Sequence, residues 1–321
     1  MRLILIEGLP GSGTSSTSQW LNWELTRAGR NSVWYYELAG DHPLKPDVME
    51  EELSMEDLVV NCLDKWNEFL CSNQSNYDDV ILDGSLFQKH IMSMLSQDVA
   101  FEYILRYSKK IALLIQQLDP HLAYLTHESV EEHMLSTYNA RGSDFEKALV
   151  NWSTSTPISI RKSYKGLEGS LVYWRDYRTL CDQIYTESGL RKVKVNISEN
   201  HWGEYKIIIS NFLGITNAGS RKKYEYDSEI AGKYVMRDTE KVIEITMLSG
   251  DLFARNLLHN LETESFMIPI GNDRFAIRGH DVELQFNYSE HEHKVGLDVI
   301  SSWTRVDGDH FDKIYEYDAN S

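Results

Sequence analysis

The chain is predicted to be an α/β protein: a doubly wound parallel sheet with a helical lid, followed by a small antiparallel β domain. Three observations predict this. Apolar, β-rich runs alternate with stretches of helical spacing through the first two-thirds of the chain. A glycine-rich turn joins the first of those runs directly to a helix. Beyond about residue 220 the helical spacing gives way to short strands broken by turns. At 321 residues and 42% hydrophobic content the chain can bury two cores, so domains are expected at 1–220 and 221–321.

The first run, Arg2-Leu-Ile-Leu-Ile-Glu7, reads as a buried strand, and Gly8-Leu-Pro-Gly-Ser-Gly-Thr-Ser15 carries it into a helix over Ser15–Ala28. Gly8, Gly13 and Ser15 satisfy the phosphate-loop pattern G-x-x-x-x-G-K-[ST], except that Thr14 stands where the pattern has lysine. The backbone can still serve an anion, because Gly11, Ser12, Gly13 and Thr14 can aim amides at it and the helix adds its dipole. Gly8, Gly11, Ser12, Gly13, Thr14, Ser15 and Ser16 are therefore the candidate nucleotide-binding residues, and Ser15 takes the position of a magnesium-binding hydroxyl. The absent charge is costly. An ammonium about 4 Å from a phosphate oxygen contributes roughly 4 kcal/mol at an effective dielectric of about 20. Its loss from a transition state slows transfer on the order of a thousandfold.

After the first helix, with Trp20, Leu21, Trp23 and Leu25 on its apolar face and Gly29 at its stop, Val33-Trp-Tyr-Tyr-Glu-Leu38 reads as the second strand. Glu37 closes it, and Asp41 and His42 lie in the loop that follows. Helical spacing returns over Glu51–Cys71. Asp79-Val-Ile-Leu-Asp83 is an apolar strand ending in a carboxylate, the form of a Walker B element, from which Asp83 could reach a magnesium shell. Glu37 and Asp83 are the candidates to orient or deprotonate an acceptor hydroxyl.

Helices are expected over Phe87–Leu95 and Val99–Leu118, and further strands over His121–Leu125 and Lys192–Ile197, with a closing helix over Trp202–Leu213. Between them, Ser129–Cys181 is helical and basic, carrying Arg141, Lys147, Arg161, Lys162, Lys165, Arg175 and Arg178, with Gly166-Leu-Glu-Gly169 as a break. Such a segment can act as a lid over a polyphosphate, with Arg141 or Arg161 supplying the missing charge. Gly219-Ser-Arg-Lys-Lys223 is the expected junction. Six β runs follow at 241–247, 252–254, 266–270, 274–277, 282–286 and 295–300, the spacing of a small antiparallel sandwich or barrel.

The formal charge of −17 excludes a general nucleic-acid polymer or anionic membrane as partner, since neither finds a basic face here. A nucleotide monomer needs only a local positive pocket. Residues 225–321 hold 20 of the 49 acidic residues and 9 of the 32 basic ones, so the acidic excess concentrates at that end. No run approaches a membrane span of about 18 apolar residues, and a cytoplasmic location is expected. Cys62, Cys71 and Cys181 read as free thiols. His280, Asp281, His291 and His293 follow no zinc spacing and read as a solvated strand face.

Leu3-Ile-Leu-Ile-Glu-Gly-Leu-Pro-Gly-Ser-Gly13 resembles the opening of the bacterial nucleoside- and nucleotide-kinase-like P-loop NTPases. The agreement extends to Asp41-His-Pro43, Ile81-Leu-Asp-Gly-Ser85 and Gly166-Leu-Glu-Gly169, covering residues 1–215. The resemblance implies a P-loop core with a lid, ATP as phosphoryl donor, Mg²⁺, and a small-molecule acceptor. Residues 225–300 are similar to β-rich accessory domains of bacterial serine hydrolases, through Ala231-Gly-Lys-Tyr234, which implies no catalytic role and names no protein partner. Two departures from the kinase pattern remove positive charge: Thr14 for lysine, and Gly84 where Asp-Arg is common after the Walker B strand. Two readings therefore stand side by side, a kinase-like phosphotransferase and a catalytically impaired nucleotide- or phosphate-binding module acting as sensor or scaffold.

Overall fold

The computed structural model describes residues 1–39, 42–45, 54–72, 76–215, 230–236, 239, 241–248, 251–258, 264–271, 273–289, 294–301 and 308–314. The chain divides into two compact units, one of Met1–Glu37 with Asp41–Gly219 and one of Leu38–Gly40 with Ser220–Ser321. The expected junction at 219–223 lies outside the described residues, as do Asp41, His291 and His293.

The first unit is a five-stranded parallel sheet of β1 (Arg2–Gly8), β2 (Ser32–Tyr35), β3 (Asp79–Asp83), β4 (His121–Thr126) and β5 (Arg191–Asn196), in the order β2-β3-β1-β4-β5. Apolar residues occupy both faces of the central strands, as burial from two sides demands. Leu3, Leu5, Val80, Leu82, Leu122 and Tyr124 enter one core, while Ile4, Ile6, Ile81, Ala123 and Leu125 enter the other. The second core is completed by α1 (Thr14–Arg27) and α9 (Trp202–Leu213), through Trp20, Leu21, Leu25, Tyr205 and Ile209. The first takes α2 (Met55–Cys71), α3 (Met92–Ser96), α4 (Phe101–Leu114), α5 (Val130–Arg141) and α8 (Gly166–Glu187), through Trp66, Met94, Ile111, Tyr138 and Trp174. At the amino end of the sheet, the fully buried Asp79 is held by Arg2 at 2.6 Å and by Arg30.

From β1 the chain runs to β2 and β3 on one side, and then to β4 and β5 on the other, so its direction reverses between β1 and β4. In open α/β sheets the crevice outside the carboxyl ends at such a reversal is where ligands bind.

Several local features differ from expectation for identifiable reasons. Strand β2 stops at Tyr35, which leaves Glu37 beyond its end. Ser85–Ile91 forms a π-helix that continues into α3, where an ordinary helix was expected from Phe87. The Gly166–Gly169 run opens α8 and lies within it; the interruption falls earlier, at Ser163, which takes a left-handed φ of 60° after α7 (Pro157–Lys162). The basic run of the expected lid is largely matched by local acids: Lys147 with Asp144, Lys162 with Asp176, Arg175 with Glu131, and Arg178 with Asp182.

The second unit is a closed antiparallel barrel of eight strands, in the order β10-β11-β12-β13-β6-β7-β8-β9. They are β6 (Gly232–Met236), β7 (Val242–Leu248), β8 (Asp251–Arg255), β9 (Glu264–Gly271), β10 (Arg274–Ile277), β11 (Val282–Ser289), β12 (Lys294–Ser301) and β13 (His310–Ile314). Closure comes from β6 and β13, which pair Phe311 with Met236 and Ile314 with Lys233 and so leave no open edge. Alternate residues fill the interior: Tyr234, Ile243, Ile245, Leu284, Phe286, Leu297 and Phe311 are buried together. His280 is buried in this unit.

None of the three cysteines forms a disulfide. Among the described residues no helix is long and apolar enough to cross a membrane.

Candidate functional site

Strand β1 delivers the chain to the carboxyl edge of the sheet at Gly8, and the next five residues turn it into α1. The turn needs its glycines. Gly11 and Gly13 take φ of 81° and 83°, the left-handed region that side chains with a Cβ avoid. A Cβ on Gly8 would stand 2.9 Å from the carbonyl oxygen of Leu125 and closer still to Ser12 Oγ. The Ser12 amide donates to the carbonyl of Leu9 at 3.0 Å and tightens the turn. Helix α1 then begins with no side-chain cap and no acidic residue in its first turn. Its first amides have no intrahelical acceptor, and its positive dipole end faces the loop.

The structure brings Thr14 and Ser15 beside Asp83. Asp83 ends β3, which pairs with β1 so that Ile6 and Asp83 are register partners. Its side chain is fully buried, and neither carboxylate oxygen has a hydrogen bond of proper geometry. The hydroxyls of Ser15 and Thr14 and the Glu37 N–H stand near it and favour the charged form, but burial outweighs them and the carboxyl is pushed up to about 6. A buried carboxylate without full partners is costly unless a cation or a proton completes it.

Glu37 comes to the same place from β2. Its Oε2 lies 3.2 Å from where a Cβ on Gly84 would be, so Gly84 leaves room for this carboxyl, and its own φ is 56°. Burial and the neighbouring Asp83 push Glu37 up to about 8, while Lys89 and Arg141 pull it down. Burial thus raises both carboxyls of the pair. Glu37 and Asp83, the two carboxylates expected from the sequence, are thus neighbours.

Three groups that the sequence reading did not single out complete the arrangement. Glu7 is fully buried, and accepts from the amides of Leu86 at 2.7 Å and Phe87 at 3.0 Å, which caps the π-helix. Burial holds it well above the ordinary carboxyl range. A carboxylate in an otherwise apolar strand was the available signal. Gln88 donates from Nε2 to the carbonyl of Gly8 at 2.9 Å and pins the loop's first residue. Lys89 donates from Nζ to the carbonyl of Glu37 at 2.5 Å, and its backbone amide reaches the carbonyl of Gly84 at 3.0 Å. The wide π-helix presents both Gln88 and Lys89 toward the site, which ordinary helical spacing does not foretell.

His42 is held in a fixed tautomer. The amide of Leu44 donates to its Nδ1 at 3.1 Å, so Nε2 carries the proton and faces Ser85 Oγ at 3.0 Å; Ser85 in turn donates to the carbonyl of Asp83 at 3.1 Å. Burial lowers the imidazole to about 2. The relay fixes the end of β3 and leaves Ser85 no base to activate it.

On the β4 side of the loop lies a cavity of about 230 Å³, lined in part by Gly11, His127, His133, Arg141, Asn200 and Trp202. It sits at the reversal point between β1 and β4. Its volume is below the roughly 300 Å³ at which pockets for whole drug-sized ligands begin, which suits one ring or one segment of a larger ligand. His133 donates from Nε2 to the carbonyl of Pro10 at 2.9 Å, and burial keeps it neutral by lowering it to about 4. Arg141 borders this cavity, with its guanidinium 4.8 Å from the Phe145 ring. Arg161 is placed elsewhere, in a two-point ion pair with Asp98 at the surface.

Comparison with protein-family models and with curated proteins returned no match. The site's geometry alone therefore carries the functional reading.

Proposed function

We propose that the chain is a P-loop nucleotide-binding protein, a kinase-like phosphotransferase acting from ATP on a small-molecule acceptor. One observation carries the reading: Asp83, fully buried and without a hydrogen bond of proper geometry on either oxygen, stands beside the Thr14 and Ser15 hydroxyls at the uncapped start of α1. A desolvated carboxylate next to free helix amides and a hydroxyl is fitted to a metal-bound polyphosphate, with the cation on the carboxylate side and the anion on the amides. Gly8, Gly11, Ser12, Gly13, Thr14, Ser15 and Ser16 would hold the phosphates, and Ser15 and Asp83 the Mg²⁺. The ion would neutralise phosphate charge. Glu37 and Asp83 would orient the acceptor hydroxyl, and Arg141 would add charge from the β4 side.

Titration calorimetry with ATP and Mg²⁺, beside a turnover assay across nucleosides and nucleotides, tests this. Micromolar binding that weakens at least tenfold in Asp83→Asn, accompanied by transfer, is the expected result. Absence of nucleotide affinity overturns it.

A second reading has its own observation. Thr14 is buried and carries no charge where the motif's lysine belongs, so the same site could hold a nucleotide without turning it over, as a sensor or scaffold. Binding without transfer selects this reading.

A further inference from the structure

The strand order gives the site a direction. The cavity is built from residues that follow β1, β4 and β5: Gly11, His127 and Asn200. The cluster of Glu37, Asp83 and Lys89 is built from the last residue of β3 and from residues that follow β2 and β3, on the other side of β1. The glycine loop lies between them. An extended ligand with its bulky end in the cavity and its phosphates along the loop places its distal phosphate at the β3 side.

We propose that Lys89 is the partner of that distal phosphate and supplies, from the π-helix after β3, the positive charge that Thr14 does not. The inference rests on the nucleotide-binding reading above. Four features support it. Lys89 is the only lysine or arginine between Asp79 and Leu105. Its Nζ is anchored 2.5 Å from the Glu37 carbonyl, so its charge is held at the carboxylate pair. The π-helix that aims it is itself fixed within its first turn, through Glu7 on the Leu86 and Phe87 amides and through Gln88 on the Gly8 carbonyl. Finally, Asp83 beside it retains two oxygens without proper hydrogen bonds, so the place is not yet electrostatically complete. A lysine is a compact point charge on a flexible stem, and can leave a carbonyl for a phosphate oxygen by rotating its terminal torsions.

The test is the ratio of affinities for two probes that differ in the distal phosphate: the β,γ-imido analogue of ATP, and ADP, each with Mg²⁺, measured by calorimetry on the full chain. Lys89→Met should weaken the triphosphate analogue about ten- to a hundredfold and leave ADP within about twofold, as removal of one phosphate-facing charge predicts. Lys89→Arg should keep the preference. Thr14→Lys should restore it in the Lys89→Met background and add less in the wild type, because two cations on one phosphate are not additive. Unchanged ratios in both Lys89→Met and Lys89→Gln overturn the proposal. So does an equal loss for both probes, the mark of a merely structural lysine. If wild-type protein binds neither probe, the parent reading fails and this one with it; if it binds both and only the variant ratios fail to move, this one fails alone. ADP affinity serves throughout as the check that each variant is folded.

Discussion

The indole of Trp202 lies against Gly13: a Cβ built on that glycine would stand 2.3 Å from the ring. Trp202 opens α9 and remains 38% exposed, so the last glycine of the loop is packed under a ring that is itself half in solvent. Gly13→Ala thus meets two separate obstacles, a left-handed φ of 83° and the ring. The backbone term alone costs about 1–2 kcal/mol for an L residue. The expected loss in urea denaturation is on the order of 2–4 kcal/mol. In a Trp202→Ala background the same substitution should cost only the backbone part, and a double-mutant cycle with no coupling between the two positions would show that the contact is not felt.

Asp83 and Glu37 make stability depend on pH in a defined direction. Their folded-state values, about 6 and about 8, lie above the ordinary carboxyl range because of burial, to which the nearby Asp83 charge adds for Glu37. The folded state therefore favours the protonated forms. Their contribution is fully present below the unfolded values of roughly 4, and is lost as pH rises through 6 and then 8. Asp83→Asn should accordingly be more stable than wild type at pH 8, by on the order of 2–3 kcal/mol, and nearly equal to it at pH 4. Denaturation curves at pH 4.5, 6 and 8 read this directly. A stability difference independent of pH would contradict it.

Most of the α/β unit was legible because its physics is local. Leu3–Ile6, Val80–Leu82 and Leu122–Leu125 are continuous apolar runs, as strands buried on both faces must be, and Asp83 stands out as the carboxylate that ends one. The site was legible in part. Glycine spacing marks the loop, but nothing in one-dimensional spacing tells that Lys89 faces Glu37 while Arg161 turns to Asp98, since both depend on helix geometry and long-range packing. The π-helix shifts the facing of Gln88 and Lys89 away from the period on which sequence patterns rest. In the barrel, most strands showed as apolar runs, yet closure depends on β6 and β13, where Gly232 and Lys233 in one and His310, Asp312 and Lys313 in the other leave no apolar run to mark a strand.

Glu7 should be among the costliest positions in the first unit. It is fully buried, and its two oxygens serve the Leu86 and Phe87 amides, which have no other acceptor in the first turn of the π-helix. Glu7→Ala leaves both unpaired, at about 1–3 kcal/mol each. Glu7→Gln retains one acceptor oxygen but turns an amino group toward the other N–H, so it should recover no more than about half of the loss. Hydrogen exchange at Leu86 and Phe87 separates the local effect from global destabilisation; protection at these amides equal to wild type in Glu7→Ala would refute the capping role.

His90 joins the loop at 42–45 to the core, and its loss should be felt at Asp83. Trp66 Nε1 can only donate, so His90 Nδ1, 3.1 Å away and facing the Tyr107 hydroxyl at 2.6 Å, is the acceptor; Nε2 carries the proton to the Leu44 carbonyl at 3.0 Å. The Leu44 amide then fixes His42, which holds Ser85 at the end of β3. Burial lowers His90 to about 4. Because that folded value lies below the unfolded one of roughly 6.5, the contribution of His90 is present above pH 6.5 and is lost as pH falls toward 4. This opposes the gain from the two carboxyls over the same range. His90→Leu should cost about 2–4 kcal/mol at pH 7.5, since it strands the Trp66 N–H, the Tyr107 hydroxyl and the Leu44 carbonyl. Between pH 6.5 and 4.5, however, the variant should lose less stability than wild type, or gain more, because the carboxyl term is then no longer opposed by this imidazole. Parallel pH profiles for the two proteins would show that His90 takes up its proton as easily folded as unfolded, and burial would then not be what holds it neutral.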